Sequence, residues 1–208
     1  MLRILLIYSD YGRLGNRLHT HANSLAWCIA NNYNLINLSF IEYAELFENS
    51  SKHYFGNIKQ TNLFISKTLS CRLLRSFCRR LLLSKKWLRR LSWFINQITP
   101  SNSEILEESD LNRQIKRKKI NLINYWDIKC YNSINIHQNT LRAYLRPRKN
   151  FVDSADKIIN SLRSKHDCII GVHARRGDYA SYLGGIHYHS WESYLSWSKQ
   201  TTKILCEK

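Results

Sequence analysis

The sequence predicts an α/β protein built on a Rossmann-like parallel sheet. Residues 2–8 form a short apolar run that ends in a polar loop bearing two glycines. A helix-periodic segment and a second apolar run follow, which is the strand, loop, helix, strand order of a βαβ crossover. Near the other end of the chain, residues 168–172 repeat the first signal, stopping abruptly at His173-Ala174-Arg175-Arg176-Gly177-Asp178-Tyr179. With 208 residues, 44% hydrophobic and 23% charged, the chain has the size and composition of one ordinary globular domain or about one and a half.

Residues 2–8 read as a buried strand, and Ser9 to Asn16 as the loop after it, because polar residues and Gly12 and Gly15 replace the apolar run. Over 17–31, Leu18, Ala22, Leu25, Ala26 and Ile29 recur at helical spacing, and Asn31-Asn32 closes the helix. His19 and His21 fall on different faces of it and do not share a metal. A second strand is expected at 35–40 and a short helix around 42–48. From 69 to 95, basic residues at 72, 75, 79, 86, 89 and 90 alternate with an apolar stripe of Leu73, Phe77, Leu81, Leu88, Leu91 and Ile95. This predicts a basic amphipathic helix inserted into the first domain. After a break at Pro100, an acidic block to Asp110 and a basic run from Arg113 predict an exposed, salt-bridged helix.

A strand at 120–125, a short helix at 137–145 stopped by Arg146-Pro147-Arg148, and a helix at 151–164 lead into the expected central strand at 168–172. Beyond it come Leu183-Gly184-Gly185 and a helix from about Ser190. The stripe of Trp191, Tyr194 and Trp197 on that helix is read as packing. His187 and His189 alternate in an extended segment, but no third ligand accompanies them, so no metal is assigned.

Lysine and arginine total 32 against 15 acids, a net charge of +17, so the field of the chain attracts polyanions. The six cysteines show neither C-x-x-C pairs nor metal-ligand spacing, which fits a reducing, cytoplasmic setting. The apolar N-terminus is too short for a signal peptide, and no run approaches the length needed to span a bilayer. The basic segment 69–95 is expected to solvate one face of the domain, ahead of holding the protein peripherally on the inner face of a membrane and of meeting nucleic acid.

Two sites of chemistry stand out. Arg175 and Arg176 follow an apolar strand, where ligands of α/β sheets bind, and a guanidinium fork matches the paired oxygens of a phosphate. Gly12 and Gly15 let the backbone approach a ligand, and the helix start beside Asn16 presents free N–H groups. Arg176-Gly177-Asp178 is also an adhesion tripeptide, a match that occurs readily by chance.

The order His173-x-Arg175-Arg176-Gly177-Asp178-Tyr179, together with Gly12-Arg13-Leu14-Gly15-Asn16 after the first strand, resembles the fucosyltransferase clan of bacterial α-1,2-fucosyltransferases, α-1,6-fucosyltransferases and protein O-fucosyltransferases. The resemblance implies a GT-B glycosyltransferase of two Rossmann-like domains. Residues 1–165 would be the acceptor-side domain, and 166–208 the start of a donor-binding domain whose later strands and motifs have no counterpart, as in a C-terminally truncated chain. It implies inverting transfer of L-fucose from GDP-fucose, without a metal or other cofactor, to a glycan hydroxyl that is lipid-linked in many bacterial pathways.

By the same resemblance, Arg175 holds the donor diphosphate with Arg176 beside it. His173 and Asp178 shape that loop, and Asn16, with Gly12, Arg13 and Gly15, approaches the donor or acceptor across the cleft. The general base stays open among Asp10, Glu42 and Asp178. The alternative is a non-enzymatic basic protein on anionic membrane or nucleic acid. Nucleic acid is the weaker partner, for the sequence carries no helix-turn-helix, zinc-finger or RNA-binding motif.

Overall fold

A computed structural model describes residues 3–8, 12–49, 76, 93–101, 105–117, 120–125, 127–174 and 177–206. The chain forms two compact units, Met1–Lys149 and Asn150–Lys208.

In the first unit, β1 (Ile4–Ile7), α1 (Leu14–Asn31) and β2 (Asn34–Asn37) form the expected βαβ crossover. β3 (Ile95–Ile98) and β5 (Ile120–Ile123) complete a four-stranded sheet of order β2-β1-β5-β3 in which each strand is parallel to its neighbours. The register sets Leu5 opposite Leu35 on one side and Asn121 on the other. β4 (Leu106–Glu107) and β6 (Ile128–Lys129) make a separate parallel pair. The helices α2 (Glu108–Gln114) and α3 (Tyr131–Tyr144) belong to the same unit.

Side chains alternate across the sheet, so β1 serves two cores. Leu5 and Ile7 meet Leu25, Ala26 and Trp27 of α1 and Leu35 of β2 in the larger one, all with at most 1% of their surface exposed. On the other face Tyr8, Leu38, Ile41 and Leu122 cluster, with Leu6, Ile36, Ile95 and Ile120 partly buried against them. Trp27 donates from Nε1 to Asn112 Oδ1 at 2.9 Å, tying α1 to α2. α1 ends at Asn32, whose φ of 57° lets its N–H and that of Tyr33 return to the carbonyls of Ile29 and Cys28. Burial pushes the Cys28 and Cys130 thiols up, which keeps both protonated and inert.

Several expectations need correction. Ile95, expected on the apolar stripe of the basic helix, opens β3 instead; the rest of that segment, Ser76, Trp93 and Phe94 apart, lies outside the described residues. α2 is not simply an exposed charged helix. Asp110 is 5% exposed and Leu111 fully buried, with Asp110 accepting from the Glu107 N–H and paired with Arg113. The helix expected at 137–145 begins at Tyr131, and His137, its expected first residue, is where the backbone leaves helical geometry.

The second unit holds most of α4 (Lys149–Arg163), two 3₁₀ turns (Asp178–Ala180 and Tyr182–Gly185) and α5 (Trp191–Cys206). The division from the first unit falls after Lys149, the first residue of α4. The expected central strand is absent: residues 168–174 carry no strand, and Ile169, Ile170 and Val172 are 37%, 36% and 52% exposed. After Lys149, none of the residues whose side chains are described is buried. The stripe on α5 packs within itself and on His189, Tyr194 and Trp197 lying 5.6 Å apart edge to face and His189 5.0 Å from Trp197. Among the described residues no helix is long and apolar enough to cross a membrane.

Candidate functional site

In the four-stranded sheet the chain moves outward from β1 to β2, crosses to the far edge at β3 and returns to β5 beside β1. The order therefore reverses between β1 and β5, whose carboxyl ends are joined by the Tyr8 N–H donating to Ile123 O at 3.2 Å. Open α/β sheets bind ligands outside such a reversal. Gly12, Arg13, Gly15 and Asn16 gather here, in the end of the β1–α1 loop and the first turn of α1.

All four are exposed. Arg13 is the residue before the helix, in extended backbone, and its carbonyl accepts from the Arg17 N–H at 3.1 Å. The two glycines differ in kind. Gly12 has φ 69°, and a Cβ there would lie 2.7 Å from the Asn16 Cβ, so the loop can close over Asn16 only with glycine. Gly15 is helical with nothing within 4 Å of a Cβ, leaving open space beside the helix start.

The loop is fastened by Arg17, a residue that sequence reasoning passed over. Its Nε donates to Gly12 O and its Nη1 to Ser39 O, each at 3.0 Å, and Nη1 also pairs with the Glu42 carboxylate. The guanidinium lies 5.3 Å from the Tyr43 ring centroid. Glu42, a candidate general base, is thus engaged in an ion pair. A signal was available: Arg17, His21 and Ser24 recur at i, i+4 and i+7, which sets a cation on the inward face of the helix.

One turn further on, His21 is buried and stacked on Phe40 with ring centroids 4.1 Å apart. Asn37 Oδ1 accepts from the backbone N–H and the hydroxyl of Ser39, at 3.1 and 2.7 Å, so its Nδ2 faces His21 Nδ1 at 3.4 Å as donor. That pattern assigns the imidazole proton to Nε2, which has no partner among the described residues. Burial lowers its pKa to about 3 and keeps it neutral. His21 is a core residue; exposed His19 shares none of its contacts.

The other half of the predicted site lies in the second unit. His173 is exposed in the strandless stretch, Asp178 opens the first 3₁₀ turn, and Arg175 and Arg176 lie outside the described residues, as does Asp10. The glycines that follow are required by the backbone: Gly184 and Gly185 have φ of 70° and 81°, and a Cβ on Gly185 would come 3.1 Å from Ala180 O. Comparison with protein-family models, curated proteins and solved structures gives no match to this chain.

Proposed function

We propose that this chain is of glycosyltransferase lineage and binds a nucleotide sugar, GDP-fucose by its sequence resemblance, for inverting transfer to a glycan hydroxyl. The observation that supports it most is the placement of the Gly12–Asn16 loop at the carboxyl edge of β1, next to the reversal of strand order, in a mixed α/β fold with a parallel sheet. In this reading the leaving diphosphate gains negative charge as the glycosidic bond breaks. The Arg175 guanidinium stabilises that charge, with Arg176 beside it and His173 and Asp178 shaping the loop. Asn16 donates to the same group or orients the acceptor, and neither a metal nor an organic cofactor takes part. Loss of a comparable charge-stabilising group costs about 100-fold or more in rate.

Calorimetric titration of the full chain with GDP at moderate salt, beside Arg175→Ala, tests this reading. Saturable binding abolished by the substitution supports it. Binding equal in both proteins and lost with salt favours a second reading, in which the net charge of +17 makes the chain a non-enzymatic binder of anionic membrane or, less favourably, nucleic acid. The two readings meet in one respect, because a basic segment at 69–95 would also hold a glycosyltransferase near lipid-linked acceptors at the inner membrane face.

A further inference from the structure

We propose that Arg17 is a positioning residue that locks the glycine loop to the turn after β2 and thereby sets the pose of Asn16. One guanidinium joins three separate segments: the Gly12 carbonyl in the β1–α1 loop, the Ser39 carbonyl just past β2, and the Glu42 carboxylate in the 3₁₀ turn Ile41–Leu46. Its side chain is only 11% exposed. A planar fork with donors in fixed directions meets such a set of acceptors; the point charge of a lysine does not.

The Gly12 carbonyl is therefore held toward Arg17 while its backbone keeps a φ of 69° and its α-carbon stays against the Asn16 side chain. Asn16 precedes Arg17 in the chain, so the residue expected to meet a ligand is braced from both sides. A shift of the Ser39–Glu42 turn is transmitted to Asn16 through one side chain. The inference rests on the nucleotide-sugar reading only in taking Asn16 as the group that meets the ligand; the lock itself stands on its own contacts.

The test uses the full chain as wild type, Arg17→Lys and Glu42→Gln, with Glu45→Gln as an exposed control in the same turn. Amide hydrogen exchange is followed by mass spectrometry, and GDP affinity by titration. The expected result is faster exchange, about tenfold, at both 12–17 and 38–43 in the first two variants and in neither segment of the control, the scale of one lost charge-assisted hydrogen bond. GDP affinity falls by a similar factor, and Glu42→Gln adds nothing once Asn16→Ala is present, the non-additivity of residues acting as one unit. Acceleration confined to 38–46, with 12–17 unchanged in both variants, overturns the lock. Coupled exchange in a chain that does not bind GDP upholds the lock and removes the nucleotide reading.

Discussion

β1 and residues 168–172 are both short apolar runs that end in a polar loop, yet only the first is a strand. Leu5 and Ile7 have no exposed surface, whereas Ile169, Ile170 and Val172 each keep at least 36% of theirs. β-Branched residues are plentiful in both runs, Ile4 and Ile7 in the first and Ile169, Ile170 and Val172 in the second, although the second also carries Gly171. β1 lies between β2 and β5, which satisfy its backbone groups on both sides, and α1 covers one of its faces. No strand pairs with 168–172 among the described residues. An apolar run becomes a strand only when neighbours supply the ladder, because the backbone hydrogen bonds of a strand are all made to other segments.

The largest expected contrast comes from the same kind of truncation in each run. Leu5→Ala should lower stability by about 2–5 kcal/mol, as buried leucines do, while Ile170→Ala stays within about 0.5 kcal/mol. Thermal melts of the two variants measure the difference, and equal losses would break the comparison. A second contrast uses pH, because only the first unit buries a histidine among the described residues. His21 stays neutral when folded but takes up a proton when unfolded, below its ordinary value of 6.5. Its contribution is therefore complete above that pH and is lost as pH falls toward about 3. Wild type should be about 2 kcal/mol less stable at pH 5 than at pH 7, with His21→Gln lacking that increment in denaturant titrations.

The smallest contrast concerns helix starts. Glu108 accepts from the backbone N–H groups of Asn132 and Ser133 at 3.2 and 3.4 Å, capping α3 from another helix, whereas Ser190 caps α5 locally through the Ser193 N–H at 3.2 Å. Glu108→Ala and Ser190→Ala should each cost about 1 kcal/mol. The first loss should appear in the global unfolding of the core, the second only as faster amide exchange in α5.

These contrasts also mark where the sequence could be read. The β1–α1–β2 unit was legible because every signal in it is local: an apolar run that ends in a polar loop, a 3.6-residue period and an Asn31-Asn32 stop. β3 was not, since Ile95-Asn96-Gln97-Ile98 is half polar and continues the apolar period of the basic segment before it. The first half of α3 hid for a related reason, its cap coming from Glu108 more than twenty residues earlier. At the candidate site, Gly12 and Asn16 could be named from their order and Arg17 could be set on the helix face of His21 and Ser24, but its acceptors could not be named, because Ser39 and Glu42 reach it only after a strand has been crossed.

The position of β5 has a consequence for how this protein is made. It is the last of the four sheet strands to be synthesised, yet it occupies the place between β1 and β3. At about 5–20 residues per second, the edge of β1 that β5 will cover waits on the order of ten seconds with its N–H and C=O groups unpaired. During that interval the nascent chain presents an open strand edge, the kind of surface that recruits chaperones or other unfinished chains.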